Sequence, residues 1–203
     1  MQLIGYLDSP FVRRVAVTAR FLGIEYEHRA LSIFRDFDEF RTINPLVKVP
    51  TLICEDGQVL VDSGLIIDYL ESLVGRGQLM PADETNYIRA LNIIGTAMVM
   101  NEKSVQIIYE TQQRPDALVH QPWLDRVQTQ LTAAAELLEQ QLGDGSTWFF
   151  GTQITQADIT AAIAWRFTQL QVPERVAASD YPGLVAFSAR AEALGEFRDC
   201  PLS

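Results

Sequence analysis

A serine and a proline open the stretch SPFVRRV (residues 9–15), directly before an amphipathic helical pattern. This order predicts a helix with Ser9 as its N-cap and Pro10 in its first turn. A serine hydroxyl has one donor and two acceptor lone pairs, so Ser9 can accept from the helix backbone and still donate to a bound anion. Ser9 is therefore a candidate for both a structural cap and a catalytic hydroxyl.

Another proline opens a predicted strand at residues 50–54 and ends the stretch NPLVKVP (residues 44–50). Proline cannot donate to a sheet ladder, so it is tolerated only at the first position of a strand or at an edge. If the Val49–Pro50 bond is cis, the chain turns sharply and the N–H and C=O of Val49 point outward, toward an extended peptide. Taken alone, the motif favours a trans-proline at a strand entry, and both alternatives stay open.

Asp62 and Ser63 stand at the start of a helical pattern over residues 63–73. One of them caps this helix, and the other lies in its first turn. The free N–H groups and partial positive charge of a helix N-terminus suit a ligand carboxylate, and an acid beside them suits an ammonium group. Lys48 can pair with a second carboxylate. Together with residues 44–50, these features describe a site for a small, extended, zwitterionic peptide.

These motifs resemble those of the soluble glutathione transferases, and the resemblance covers nearly the whole chain. It rests on SPFVRRV, NPLVKVP, the acid-Ser pair at 62–63 and GTQITQADIT at 151–160. The SPF serine motif is most similar to that of the plant tau class and of a bacterial group of similar length. Omega-type proteins carry cysteine where Ser9 stands, so the resemblance argues against thiol-transfer and dehydroascorbate-reductase activity.

The resemblance implies a role for each site residue. Ser9 hydrogen-bonds the sulfur of glutathione, which acts as a co-substrate with no metal. Val49, before a cis Pro50, pairs with the cysteinyl backbone of glutathione. Asp62 holds the γ-glutamyl ammonium, and Ser63 holds the γ-glutamyl carboxylate. Lys48 approaches the glycyl carboxylate.

A single hydroxyl is sufficient for the implied thiol activation. An ordinary thiol has a pKa of about 8.5, so only a few per cent is thiolate at pH 7. Lowering this pKa by about two units requires about 2.7 kcal/mol. A hydrogen bond to a charged group contributes about 1.5–3 kcal/mol, and the helix N-terminus after Ser9 adds about 0.3–1 kcal/mol.

Arg14 also matches the motif, and we expect it to have a structural role in the first helix.

The elements that carry these residues fall into two parts. Over residues 1–76, strand and helix signals alternate in the order β-α-β-α-β-β-α, with a hairpin turn at residues 55–57. This order predicts a small α/β domain with an antiparallel hairpin at one side of its sheet. Residues 83–203 show only helical patterns, which leaves residues 77–82 as a linker. The resemblance implies a thioredoxin-like glutathione-binding domain followed by an all-α C-terminal domain.

Thr155 and Asp158 have the spacing of a capping box at the start of a helix near residues 156–170. Asp158 has the chemistry of a catalytic carboxylate, but its spacing favours a bond to the backbone N–H of Thr155. We therefore expect its loss to damage folding more than catalysis, by about 0.5–2 kcal/mol for the cap alone.

The composition of the chain argues against nucleic-acid and membrane partners. The formal charge of −10 argues against a nucleic-acid partner, which normally needs a basic face. We find no signal peptide and no apolar run of membrane-spanning length, so we expect a cytoplasmic protein without a membrane partner. The two cysteines lie far apart at positions 54 and 200, which favours reduced thiols, and the two histidines at 28 and 120 give little basis for a metal site.

We therefore expect a glutathione transferase that acts on small electrophiles as a homodimer. A glutathione-dependent isomerase or peroxidase on the same site is an alternative. A third hypothesis is a non-catalytic interaction module, because a fold by itself does not supply a reaction. Asp62, Ser63 and Lys48 favour glutathione binding in each of the enzymatic cases.

Overall fold

A computed structural model describes residues 1–202 of the chain, and these divide into two units. The first unit runs to Gln78 and is joined by the segment from Leu194 onward. The second unit runs from Leu79 to Ala193. The division falls between residues 78 and 79, and the segment after residue 193 groups with the first unit.

The first unit is built on a four-stranded mixed sheet, in which the first strand lies between the second and the third, and the fourth lies at the edge beside the third. The first strand runs parallel to the second and antiparallel to the third, and the last two form an antiparallel hairpin. The predicted α/β fold class and the hairpin at one side are confirmed. The elements are β1 (Gln2–Ile4), α1 (Pro10–Phe21), β2 (Glu27–Arg29), α2 (Phe37–Ile43), β3 (Thr51–Ile53), β4 (Val59–Val61) and α3 (Ser63–Val74).

An apolar stripe on α1 faces the core of the first unit. Val12, Val15, Ala16 and Ala19 recur at spacings of three and four, and all four side chains are buried. This burial fixes the orientation of α1, and with it the direction in which the N-terminus of the helix points.

The second unit is helical throughout, which confirms the predicted all-α part. Its third helix is buried along almost its whole length and packs against both the first and the fourth. The helices are α4 (Glu84–Gln112), α5 (Gln121–Leu142), α6 (Gln156–Gln171) and α7 (Pro182–Glu192). Within residues 1–202, no helix combines the length and apolar character that crossing a membrane requires.

The segment after α7 contains a single short helix, α8 (Gly195–Arg198). Arg13 of α1 is buried and reaches this segment, where its Nε donates to the carbonyl of Cys200 over 2.9 Å. The ring of Phe197 lies edge-on to that of Phe21, with 6.2 Å between ring centroids. These contacts explain why the segment belongs to the first unit, although its sequence pattern continues the helical part.

The predicted capping box at the start of α6 is confirmed. Asp158 is 0% exposed, and its Oδ2 accepts from the backbone N–H of Thr155 over 2.8 Å and from the hydroxyl of Thr155 over 2.6 Å. Its Oδ1 accepts from the N–H of Phe149 over 2.8 Å. The carboxylate therefore also fixes the loop before the helix, which the capping pattern alone does not predict.

Asn101 lies in the buried part of α4 with no hydrogen-bond partner for either atom of its carboxamide among residues 1–202. Since an unpaired buried polar group costs about 1–3 kcal/mol, Asn101→Leu is expected to raise the free energy of unfolding by about 1 kcal/mol or more. Urea denaturation monitored by circular dichroism measures the change. Ser104→Ala is the matched control: the hydroxyl of Ser104 bonds that of Thr168 over 2.8 Å, so its loss should destabilise. A destabilised Asn101→Leu variant would contradict the prediction.

Candidate functional site

Ser9 is the N-cap of α1, as its sequence context predicts. Its backbone is extended, and its Oγ lies 3.5 Å from the N–H of Val12, at the outer limit of a hydrogen bond. The hydroxyl is half-buried at the surface of the first unit. Because the cap contact uses only an acceptor lone pair, the O–H proton of Ser9 is available to a ligand.

The Val49–Pro50 peptide bond is cis. Within residues 1–202, the N–H and C=O of Val49 form no hydrogen bond with other groups of the chain. A free donor and a free acceptor on one residue match the pairing that an extended peptide offers to a strand edge. The structure thus has the cis alternative and not the trans-proline that the motif alone favours.

The loop before Pro50 is held by two buried polar side chains. The carboxamide of Asn44 accepts from the N–H of Leu46 over 3.0 Å and donates to the hydroxyl of Thr51 over 2.8 Å. Thr51 in turn donates to the carbonyl of Lys48 over 2.6 Å. This chain of hydrogen bonds fixes the backbone that presents Val49.

Gly5 brings the Val49 loop against the start of α1. It follows β1 with a φ of +132°, and a Cβ placed there would lie 2.7 Å from Cγ2 of Val12 and 2.9 Å from Cγ1 of Val49. Any side chain at this position would separate the loop from the helix. The close approach places the unpaired peptide group of Val49 beside the helix turn that Ser9 caps.

Asp62 and Ser63 form the N-terminus of α3. Asp62 has a φ of +74°, and its Oδ1 accepts from the N–H groups of Gly64 and Leu65 over 2.8 and 3.2 Å. Its side chain is exposed, which leaves the second carboxylate oxygen accessible to a ligand ammonium. Ser63 is only 2% exposed, and its Oγ accepts from Nη1 of Arg14 over 2.9 Å.

Arg14 was predicted to have a structural role in the first helix, and its side chain also contacts a second helix. It is 3% exposed, and its contact with Ser63 joins α1 to α3. Burial lowers the pKa of its guanidinium to about 10, an effect that the nearby charge of Asp62 partly offsets. Arg14 therefore remains charged at neutral pH.

Lys48 is the predicted site residue that the structure fixes least. Its carbonyl is held by Thr51, but its side chain is exposed and its ammonium group makes no ion pair within residues 1–202. A pairing with a ligand carboxylate remains a prediction for this residue.

Sequence reasoning missed three contributors to this geometry: Gly5, Asn44 and Thr51. A glycine directly after an apolar strand and an asparagine before proline were visible signals of a constrained backbone. Their partners lie on other elements, so these signals did not disclose what the residues contact. Asp8, next to Ser9, was also left unassigned; burial raises the pKa of its carboxyl, and the nearby Arg35 partly offsets this.

The chain matches the glutathione S-transferase N-terminal domain over residues 3–78 and the C-terminal domain over residues 121–190. It is 29% identical over 146 residues to the uncharacterized GST-like protein YibF of Escherichia coli K12, covering 72% of each chain. It is 28% identical over 170 residues to a maleylacetoacetate isomerase of Pseudomonas aeruginosa, covering 78% of this chain and 77% of that protein.

Among solved structures, the fold is similar to that of a glutathione S-transferase from Methylobacterium radiotolerans in complex with glutathione sulfonate. The two have a TM-score of 0.90 and 26% sequence identity, over 100% of this chain and 95% of the other. Both halves of the chain thus match the same family, in sequence and in fold. This chain belongs to the glutathione S-transferase superfamily.

Proposed function

We propose that the protein is a glutathione transferase that activates the thiol of glutathione for attack on small electrophiles. The observation that carries the proposal is the unpaired peptide group of Val49, whose side chain lies close to Gly5, which precedes α1, while Arg14 of that helix contacts Ser63 at the N-terminus of α3. Membership of the superfamily and the glutathione sulfonate complex of the Methylobacterium radiotolerans protein support it.

In this proposal, the tripeptide lies extended across the first unit. The α-carboxylate of its γ-glutamyl group accepts from Ser63 and the N-terminus of α3, and its ammonium group pairs with Asp62. The cysteinyl N–H and C=O pair with Val49, before the cis Pro50. Lys48 attracts the glycyl carboxylate, and the cysteinyl sulfur lies at the hydroxyl of Ser9.

The chemical step follows from the position of the sulfur. The thiol releases its proton to water, and the O–H of Ser9 donates to the resulting thiolate, which lowers the thiol pKa. The thiolate electron pair forms a carbon–sulfur bond with the electrophile. A leaving group then departs with the electrons of its broken bond, or a double bond takes them up and is protonated. No metal takes part in this step.

The finer assignments belong to the same proposal. Ser9-Pro10-Phe11 supports a serine-type, tau-like class. We also retain the homodimer and the cytoplasmic location as expectations, and size-exclusion chromatography with light scattering tests the first of them.

A glutathione-dependent isomerase on the same site is the second candidate. The similarity to the maleylacetoacetate isomerase of Pseudomonas aeruginosa favours it over a peroxidase. An isomerase would use the same thiolate. The thiolate would add to the double bond of the substrate and would leave again when that double bond re-forms.

Retention on immobilised glutathione, followed by conjugation of an aryl halide, tests the proposal. We expect elution by free glutathione and a conjugation rate well above that of glutathione alone at pH 7. Isomerisation of a cis-enedioic acid without conjugation would favour the second candidate. Absence of binding at millimolar glutathione would overturn both enzymatic proposals and favour an interaction module.

A further inference from the structure

Two consecutive arginines of α1 are buried and face different partners. Arg13, 1% exposed, donates to the backbone carbonyls of Phe197 and Cys200 in the C-terminal segment. Arg14 donates to the hydroxyl of Ser63, at the N-terminus of α3. Arg13 therefore holds the C-terminal segment, whereas Arg14 contacts a candidate ligand-binding residue.

The bond from Arg14 determines which way the hydroxyl of Ser63 can donate. A guanidinium has donors only, so Ser63 accepts in this contact and cannot give its own proton back to Arg14. The O–H of Ser63 is thus left to donate to a group other than Arg14. An acceptor at the N-terminus of α3 receives this donor together with the backbone N–H of Ser63, because the N–H groups of Gly64 and Leu65 already donate to Oδ1 of Asp62.

The charge of Arg14 acts at the same point. A helix N-terminus has a partial positive charge, and the guanidinium adds a full charge behind Ser63, in a buried position that solvent screens weakly. The exposed carboxylate of Asp62 balances this charge on the ligand side. An adjacent pair of anionic and cationic binding groups results, which matches the carboxylate and ammonium carried by one carbon of an α-amino acid.

We propose that Arg14 is a positioning residue that sets the affinity of the site for the α-carboxylate of the γ-glutamyl group, through Ser63 and without contacting the ligand. This inference rests on the proposed function, because it takes glutathione as the ligand. It separates two tasks on α1: Ser9 acts on the sulfur, and Arg14 acts on the opposite end of the tripeptide.

The test compares glutathione with 4-aminobutanoyl-cysteinylglycine, which is glutathione without the α-carboxylate, by calorimetric titration. The wild-type protein should bind glutathione about ten-fold or more tightly than this analogue, in line with one charge-assisted hydrogen bond. In Arg14→Gln, most of this preference should be lost, although Ser63 and the N-terminus of α3 still bind the carboxylate. KM for glutathione should rise about ten-fold, while kcat at saturation and the pKa of the bound thiol stay near the wild-type values.

Arg13→Gln is the matched control, since it removes an equally buried arginine from the adjacent position. It should lose stability but retain the preference for glutathione over the analogue. Arg14→Lys keeps the charge with a single ammonium in place of the guanidinium fork, so it should restore part of the preference. If Arg14→Gln does not fold by circular dichroism, Arg14→Lys carries the test, with a several-fold loss of preference expected.

The outcomes separate this inference from the proposed function. A wild-type protein that does not bind glutathione refutes the proposed function itself. A wild-type protein that binds glutathione, with a folded Arg14→Gln or Arg14→Lys variant that keeps the full preference, overturns only the role of Arg14. Equal loss of preference in Arg13→Gln and Arg14→Gln would also overturn it, because the effect would then belong to any buried arginine of the helix.

Discussion

Ser9→Ala is expected to lower the conjugation rate at pH 7 by about ten- to a hundred-fold while glutathione still binds. In the proposed site the hydroxyl donates to the thiolate but holds no other part of the tripeptide, and a hydrogen bond to a charged group is worth about 1.5–3 kcal/mol. The thiol pKa of bound glutathione should return toward its value in free solution. Thiolate absorbance in the ultraviolet as a function of pH measures this pKa, and calorimetric titration measures binding.

The cap function of Ser9 needs its own control. Its Oγ lies 3.5 Å from the N–H of Val12, so the alanine variant should lose no more than about 1 kcal/mol of stability. Ser9→Thr keeps a hydroxyl and a cap, and it should retain part of the activity. If the thiol of glutathione titrates in the wild-type protein as it does in free solution, the role given to Ser9 is wrong.

Asp158→Ala is expected to lower the free energy of unfolding by about 3 kcal/mol or more, with little change in kcat for whatever protein remains folded. The substitution leaves three buried donors without their acceptor: the N–H of Phe149, and the N–H and hydroxyl of Thr155. Each unpaired buried donor costs about 1–3 kcal/mol. Urea denaturation measures the loss, and a Thr155→Ala variant, at about 0.5–2 kcal/mol, measures the cap alone.

A kinetic measurement can contradict the structural role of Asp158. A variant that keeps wild-type stability but loses turnover would show that the carboxylate takes part in catalysis. The buried position of Asp158 within α6 and its three protein donors argue for the structural role.

The titration of Asp158 gives its stabilising effect a defined pH dependence. Burial raises the pKa of this carboxyl above its ordinary value, and the hydrogen bonds from Thr155 and Phe149 offset the rise only in part. The folded state then binds the proton more tightly than the unfolded state, so the stability linked to this proton is complete below about pH 4 and is lost as the pH rises through the raised pKa. The stability advantage of the wild type over Asp158→Asn should therefore shrink as the pH rises from about 4 through this raised pKa.

Sequence reasoning was most successful where a structure depends on neighbours along the chain. The cap at Ser9, the capping box at Thr155 and Asp158, and the hairpin at residues 55–57 all involve groups a few residues apart. Such groups meet in any chain that adopts the local conformation, so their residue types are enough to predict them. The order of strands and helices followed for the same reason, from apolar periodicity and turn residues.

Tertiary structure decided the features that join distant parts of the chain. The Arg14–Ser63 bond spans 49 residues and the Arg13–Cys200 bond spans 187, and no local pattern encodes either partner. The close approach of Val49 to Gly5 likewise joins segments that are far apart in the sequence, and the motif alone left the cis state of Val49–Pro50 open. The sequence by itself determined the candidate site residues, because their chemistry is that of their side chains and their local conformation depends on neighbouring residues. Only the tertiary structure decided which of these side chains contact each other, because the packing of whole helices sets the partner of a buried arginine.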